Sequence, residues 1–359
     1  MAADVADLAG GKPVGFGLIG TGMSGGFVAR ELQHVEGGFL VAVCSRSRER
    51  VQAFAAEHGA PRWYTGVREL IADPQVDVVC VLTPTGLHGS MTVAAARAGK
   101  HVLVEKPIEA TVAAGEHMVR VCREQGVRLG VIFQMRFGRV ARMLGELLRG
   151  GGLGDIWLAD AFDKASRSPA YYARAAWRGT RDLEGGGCLM TQSIHIIDLI
   201  QHLVGPVASV VGRTATKRHA IEVEDAAVAL LRFDSGAMGV VESTTAIRPA
   251  LRSRIEIHGE RGTVIANAQY DQFLVWEVDG IPGPPDLPES PDWLDTDDPW
   301  AYPQTRHRVQ LQDMADAIRE DRDPVLTGEE ALRSLRVVKA IQRSSRLGRE
   351  VAVAPAPDR

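Results

Sequence analysis

The sequence predicts an α/β protein in two parts, a doubly wound parallel sheet followed by an α+β domain on a large, mostly antiparallel sheet. Short β-branched apolar runs alternate with helical patterns up to Gln134, as strands and helices alternate in a parallel sheet. The motif Gly20-Thr21-Gly22-Met23-Ser24-Gly25 joins the first strand to the first helix. Beyond Gln134 the pattern changes to long segments of period two joined by glycine turns, the habit of antiparallel strands. At 359 residues two cores are expected, over residues 12–134 and 135–353.

Val14 to Ile19 reads as the first strand, and a helical pattern runs from about Phe27 to Gln33. Between them the first glycine permits a tight turn, the second lets backbone N–H groups approach a pyrophosphate, and the third lets helix and strand pack closely. Gly20, Gly22, Met23 and Gly25 are therefore the candidate cofactor contacts of a Rossmann domain. The second strand, Phe39 to Cys44, ends in Ser45 and Arg46, where an NAD-binding domain usually places an acid on the ribose 2′-hydroxyl. A hydroxyl and a guanidinium suit a 2′-phosphate, which favours NADP over NAD. The alternative is that Arg46 and Arg48 only decorate a solvated helix, Arg48 to His58.

Val67 to Ala72 reads as a short helix and Val76 to Leu82 as a strand ending in Thr83-Pro84-Thr85-Gly86-Leu87-His88. A helix from about Ser90 to Ala98 leads to His101-Val102-Leu103-Val104-Glu105-Lys106-Pro107. Proline cannot donate to a sheet ladder, so this strand stops there, leaving Lys106 at a strand's C-terminal edge, where open α/β sheets bind their ligands. A helix at Met118 to Gln125 and a strand at Arg128 to Gln134 complete the pattern.

In the second part Val140 to Leu148 reads as an amphipathic helix closed by Gly150-Gly151-Gly152. Strands follow at 156–162, 207–216, 226–233, 237–245, 252–258, 262–268 and 273–278, with turns such as Asp234-Ser235-Gly236 and Glu260-Arg261-Gly262. A helix over Leu189 to Leu203 carries His195 with Thr191, Asp198 and His202 along one face. An imidazole in so apolar a helix needs a partner. It is either a core histidine satisfied by Asp198 or a working group. Gly280 to Pro303 reads as an extended loop, Val309 to Glu320 and Glu329 to Leu347 as helices, and Ala354 to Arg359 as a tail.

A net charge of −4 gives no case for nucleic acid or an anionic membrane as partner, and no apolar run approaches a membrane span. The four cysteines, Cys44, Cys80, Cys122 and Cys188, lie far apart without a C-x-x-C, which argues against a zinc site or a disulfide framework. Met1 to Lys12 holds acids and no apolar core, unlike a signal peptide, so a cytoplasmic location is expected. His88, His101 and His307 have no ligand spacing with acids, and no metal is expected.

Three features coincide: the fingerprint at Gly20, the Glu105-Lys106-Pro107 strand end one strand after Thr83-Pro84 and His88, and Gly185-Gly186-Gly187 followed by His195 and Asp198. Together they resemble the Gfo/Idh/MocA oxidoreductases, the family of glucose-fructose oxidoreductase and inositol dehydrogenase, from about Val14 to Val353. The resemblance implies hydride transfer between NADP or NAD and a sugar, sugar derivative or polyol, and a homodimer or homotetramer formed through the C-terminal sheet. It implies that Lys106 touches substrate and nicotinamide ribose, that Glu105 touches the cofactor, and that Pro107 follows a cis bond. It makes His195 the catalytic histidine, Thr83, Pro84 and His88 the lining of the cofactor cleft, and Arg136, Tyr172, Trp177 and Arg178 the substrate pocket.

Many members carry an aspartate four residues before the histidine; this chain has Thr191, then Gln192. The segment Leu189-Met190-Thr191-Gln192 is similar to the UDP-N-acetyl-amino-sugar dehydrogenase subset, which makes Thr191 and Gln192 candidate substrate contacts. Without that carboxylate the acid/base work falls on Lys106 and His195, and a lysine beside a positive nicotinamide sheds its proton more readily. Two rival readings stay open: a dihydrodiol dehydrogenase of the same family, and a dinucleotide-binding regulatory protein without catalysis.

Overall fold

The computed structural model describes residues 12–288 and 305–354. Most of the stretch read as Met1 to Lys12, the end of the Gly280 to Pro303 loop and nearly all of the Ala354 to Arg359 tail lie outside the described residues. In chain order the elements are β1 Val14–Ile19, α1 Met23–Leu32, β2 Gly38–Cys44, α2 Arg48–His58, β3 Arg62–Tyr64, α3 Val67–Ala72, β4 Val78–Val81 and α4 His88–Arg97. Next come β5 His101–Glu105, α5 Val112–Glu124, β6 Leu129–Ile132, α6 Arg139–Arg149, β7 Ile156–Lys164, α7 Pro169–Ala173 and α8 Arg181–Glu184. The last are α9 Ile194–Val204, β8 Val207–Ala215, β9 Ala226–Phe233, β10 Met238–Thr244, β11 Arg254–Gly259, β12 Gly262–Asn267, β13 Gln272–Val278, α10 Thr305–Arg319, α11 Gly328–Leu347 and β14 Val351–Ala352.

The chain forms two compact units. Of the described residues, the first takes 12–109, 113–132 and 305–331, and the second takes 110–112, 133–288 and 332–354. The two-block division expected at 134/135 therefore misses one return of the chain: α10 belongs with the first unit. Its Leu311, Met314 and Ala315 share a core with Val28 and Leu32 of α1, and Gln310 donates to the carbonyl of Val131. Residues after α10 also close the sheet edge, where Val131 donates to the carbonyl of Leu326 and Gly130 bridges Thr327. An open edge is a template for unwanted pairing, so this return has a structural use.

The first unit's sheet has the order β3-β2-β1-β4-β5-β6, parallel throughout. β1, β4 and β6 are buried along their whole length, which is why they read as unbroken apolar runs. The strand order reverses between β1 and β4, the switch point at which such sheets bind ligands.

The second unit has an eight-stranded sheet, β13-β12-β11-β7-β10-β9-β8-β14, antiparallel except for the β7–β10 pair. Strand β9 alternates buried and exposed along nearly its whole length, with Ala227, Ala229, Leu231 and Phe233 inward. The four cysteines are buried and unpaired, and burial pushes the Cys44 thiol up to about 11 and that of Cys122 to about 12.

The helix expected over Leu189 to Leu203 is not continuous. Leu189–Ser193 is a π-helical turn and α9 begins at Ile194. The face drawn from Thr191 to His202 on α-helical spacing therefore crosses a change of pitch. α1 starts at Met23, inside the glycine motif rather than at Phe27, and α5 starts at Val112 rather than Met118.

Candidate active site

The glycines after β1 each do a separate job. Gly20 has φ +119°, and a Cβ there would sit 2.4 Å from the carbonyl oxygen of Leu82, so the turn against β4 needs glycine twice over. A Cβ on Gly25 would lie 2.4 Å from the carbonyl oxygen of Gly20. Gly22 differs: a Cβ there would meet nothing within 4 Å, and no side chain caps the helix it precedes. The first N–H groups of α1 thus have no capping side chain, and nothing crowds the glycine before them. That is the cradle a pyrophosphate requires. The residues present fit a dinucleotide.

The end of β5 is tied to this cradle. Glu105 accepts from the backbone N–H of Lys106 at 3.0 Å and bonds the side chain of Ser24 in the first turn of α1. Burial raises its carboxyl above the usual range, although Lys106 and both hydrogen bonds pull it back. Lys106 is half-buried, and the Lys106–Pro107 bond is cis. Ser24 was not among the expected contacts, although it lies inside the motif.

His88, expected in the cofactor-lining loop, holds that loop to the next one. Its ring nitrogens lie 2.9 Å from the carbonyl of Pro107 and 2.8 Å from that of Thr83. Burial lowers its basicity more than these carbonyls raise it, so the ring is held toward its neutral form. Thr83 and Pro84 thus reach Lys106-Pro107 through one imidazole, and the Thr83 hydroxyl turns to the sulfur of Met91 at 3.6 Å.

At the end of β2, Ser45 donates its N–H to the carbonyl of Tyr64 and is half-buried, while Arg46 is exposed. Ser47 caps α2, and Arg48 is occupied over Trp63 at 5.1 Å. Arg46, Arg48 and Arg50 are all exposed, and Arg46 lies nearest the end of β2.

In the second unit, Gly185-Gly186-Gly187 leads into the segment that carries His195. A Cβ on Gly187 would fall 1.6 Å from the carbonyl oxygen of Glu224, so no larger residue fits without moving a backbone. Glu224 accepts from the N–H of Gly187 through its carboxylate and from Cys188 through its carbonyl. Lys339 donates to the carbonyl of Gly185 at 2.6 Å, and Gln342 reaches the Glu224 carboxylate. Glu224 carried no local signal in the sequence, and burial raises its carboxyl.

Thr191 donates its hydroxyl to the carbonyl of Gly187 at 3.0 Å, and Gln192 accepts from Arg167 at 3.1 Å. His195 is half-buried with its ring edge-on to Phe133, centroids 5.8 Å apart. Asp198 is not committed to His195 as the spacing suggested. Its carboxylate takes Arg136 in a fork, Nε at 2.6 Å and the second nitrogen at 2.7 Å, and the Ser334 hydroxyl at 2.8 Å. Arg136, expected to face substrate, is thereby engaged in a buried ion pair and also lies 3.4 Å from His202.

The expected pocket residues Tyr172, Trp177 and Arg178 come together with two that were not singled out, Arg167 and Tyr171. Tyr172 bonds Thr245 at 2.9 Å, and burial pushes its phenol up to about 12. Arg178 lies 4.2 Å from the Tyr171 ring centre and 4.6 Å from that of Trp177, and Arg167 lies 5.2 Å from the Tyr171 ring.

His101 accepts the N–H of Arg128 on its ring nitrogen, and His307 packs against Phe27. Asp160, Glu256 and His258 bring ligand-type atoms within 4.8 Å of one another on the sheet of the second unit. Each has a partner there: Asp160 accepts from Val240, Glu256 pairs with Arg254, and His258 bonds Thr263. No helix among the described residues is long and apolar enough to cross a membrane.

A glycine cradle at the switch point of a parallel sheet, with a Glu-Lys-Pro strand end bonded to it, defines a dinucleotide-dependent oxidoreductase. Residues 14–133 match the model of the oxidoreductase family with an NAD-binding Rossmann fold, and residues 141–265 match the GFO/IDH/MocA C-terminal domain. The chain belongs to the Gfo/Idh/MocA oxidoreductase family.

It is 30% identical over 321 residues to 1,5-anhydro-D-fructose reductase of Ensifer adhaerens, covering 88% of this chain and 92% of that one. It is also 30% identical over 340 residues to D-apiose dehydrogenase of Paraburkholderia graminis, covering 91% and 87%. Among solved structures it is similar to the WlbA dehydrogenase of Bordetella pertussis, in complex with NADH and UDP-GlcNAcA, with a TM-score of 0.84 and 32% identity over 96% of this chain and 100% of that one.

Proposed function

We propose that the protein transfers hydride between a nicotinamide cofactor and a secondary alcohol or ketone of a sugar, sugar derivative or polyol, with Lys106 and His195 as acid and base. The observation that carries the reading is the end of β5. Glu105 ties the strand to the phosphate cradle through Ser24, His88 ties the following cis-proline turn to Thr83, and Lys106 stands between these two anchors. A charged amine on so fixed a backbone is placed for chemistry rather than for solvation. The relatives, named for reduction or dehydrogenation of sugars, support the substrate class.

The nicotinamide, when bound, supplies the hydride acceptor or donor. Gly20, Gly22, Met23 and Gly25 would hold the pyrophosphate, with Glu105, Thr83 and Pro84 beside it. As the carbinol hydrogen leaves, the hydroxyl proton must leave too, and the Lys106 amine takes it in its neutral form and returns it in the reverse direction. His195 is the second proton carrier. Thr191 stands where many relatives hold an aspartate, and its hydroxyl does not titrate near neutrality. The acid/base burden is therefore shared by Lys106 and His195.

NADP is the favoured cofactor. Ser45 and the exposed guanidinium of Arg46 close β2 where the 2′-substituent is read, and a forked cation suits a phosphate there. The outer face of the second unit's sheet carries Leu158, Met238, Leu230, Val228 and Val211, exposed on four neighbouring strands. Exposed apolar side chains on four adjacent strands call for a partner, and a second copy of the chain, in a homodimer or homotetramer, is the one we propose.

The test is Lys106→Ala. Turnover of a sugar or polyol substrate is expected to fall by about two to four orders of magnitude with NADPH affinity largely kept. Turnover close to that of the unmodified protein would remove Lys106 from the mechanism.

A further inference from the structure

We infer that Arg167 and Arg178, held on one tyrosine, form an anion-recognition element that selects substrates carrying a carboxylate or phosphoryl group. This rests on the oxidoreductase reading above and names the substrate class within it. Residues 165–181 contain four arginines, Arg167, Arg174, Arg178 and Arg181, and no acid, in a chain with 45 acidic and 41 basic residues.

Arg167 and Arg178 lie 5.2 and 4.2 Å from the centre of the same Tyr171 ring, which keeps two like charges within about one Debye length of each other. Among the described residues no carboxylate lies within ion-pair distance of either. The half-buried Arg254, Arg128 and Arg136, in contrast, each have at least one.

Both guanidiniums are held rather than free. Arg178 donates to the Tyr171 hydroxyl and stacks on Trp177 at 4.6 Å. Arg167 donates to the Ser166 carbonyl at 3.0 Å and to Gln192 at 3.1 Å. The Nε–H groups of both are shielded from water with no acceptor, a cost that an arginine on open surface avoids by turning outward.

The backbone of Arg167 is fixed as well. Its N–H donates to the Thr245 carbonyl, and its own carbonyl lies 2.9 Å from a nitrogen of His219, whose other nitrogen meets Asp225 at 2.9 Å. Burial alone would raise Asp225, but N–H donors from Lys217, Arg218 and His219 win and hold its carboxyl below the usual range.

Two uncompensated, pre-ordered guanidinium forks are costly for the free protein and favourable once an anion lies between their remaining donors. The residue that Arg167 grips, Gln192, belongs to the π-turn that leads directly into His195. An anion held here is thus registered to the segment that carries the proposed proton carrier. Arg167, Tyr171, Trp177, Arg178 and Gln192 are all half-buried, anchored but open to solvent on one side.

The test measures binding of D-glucose, D-glucuronate and D-glucose 1-phosphate by titration calorimetry to the full chain saturated with NADH or NADPH, so that the cradle at Gly22 is already filled. At least one anionic probe is expected to bind about tenfold or more tighter than glucose. That ratio should collapse toward one in Arg178→Met and in Arg167→Met, and persist in Arg174→Met, which alters an exposed arginine of the same segment. Should a methionine variant fail to fold, Arg178→Lys keeps the charge without the fork and is expected to lose most of the preference.

Whichever of glucuronate and glucose 1-phosphate prevails identifies carboxylate or phosphoryl as the group read. Glucose binding as well as both anions, no binding by either anion at millimolar concentration, or a preference unchanged in both methionine variants would overturn the inference. Anion binding without any NAD(P)H absorbance change across a sugar panel would instead count against the oxidoreductase reading alone.

Discussion

Replacing Asp198 by alanine leaves a guanidinium buried with nothing to neutralise it. The side chains of Asp198 and Arg136 are 1% and 6% exposed, and the pair is forked, with both bonds at or below 2.7 Å. Breaking a buried pair of this kind by deleting one partner costs about 3–5 kcal/mol, most of it the uncompensated charge that remains. The loss of the Ser334 hydrogen bond adds about 1 kcal/mol. In a unit of about two hundred residues, each kilocalorie moves Tm by roughly 2–4 °C, so a drop of roughly 8–24 °C is expected by scanning calorimetry. The double variant Arg136→Met with Asp198→Leu removes both charges and should recover much of that loss. A cost for Asp198→Ala below about 1 kcal/mol, the range of solvated pairs, would show that this ion pair is not desolvated. A double variant no better than the single one would equally refute the cost of the buried charge.

Further outcomes follow from the cradle, the cofactor turn and the buried histidines. Gly20→Ala should lower Tm, since its Cβ collides with Leu82, whereas Gly22→Val should leave Tm nearly unchanged and weaken NADPH and NADH binding, measured by fluorescence titration. Equal effects of the two on stability would contradict the geometry. Arg46→Ala should weaken NADPH by about tenfold or more and leave NADH little changed; equal losses would remove Arg46 from cofactor choice. Burial lowers the basicity of His58, His88 and His101 in the folded state, so the unfolded chain takes up their protons first. Their contribution to stability is therefore complete above the unfolded value of about 6.5 and is lost as pH falls below it. Tm should decline from about pH 6.5 toward 5, and His101→Asn, which can still accept the Arg128 N–H without titrating, should flatten that decline; an unchanged slope would speak against His101.

The parallel sheet was readable because its strands are buried on both faces, so β1 and β4 need no polar residue and appear as plain apolar runs. The glycine motif was readable for a related reason. Gly20 and Gly25 stand where a Cβ would strike a backbone carbonyl, and such positions accept little else. The membership of α10 was not readable, because chain order says nothing about which core Leu311 and Met314 will join. Nor was the π-turn, since Leu189 to Ser193 has the composition of an ordinary buried helix and the pitch is set by its surroundings. Charge partners were the least legible of all. Asp198 has His195 and His202 as helical neighbours, yet its carboxylate goes to Arg136, far away in sequence. Of two adjacent tyrosines, the resemblance singled out Tyr172, while the backbone phase of α7 turned Tyr171 to the arginines.

The late return of α10 has a consequence for how the protein is made. Between the emergence of β6 and of residue 331, a ribosome adds roughly two hundred residues, on the order of 10–40 s at about 5–20 residues per second. Throughout that interval the nascent dinucleotide unit lacks the α10 residues that complete the core around Val28 and Leu32, and β6 lacks the pairing of Leu326 and Thr327 along its edge. Exposed apolar surface and an unpaired strand edge are the features that make such intermediates prone to aggregate, and a single cut after residue 134 would release the same unfinished fragment. A soluble cofactor-binding piece calls for residues 12–132 joined by a linker to 305–331.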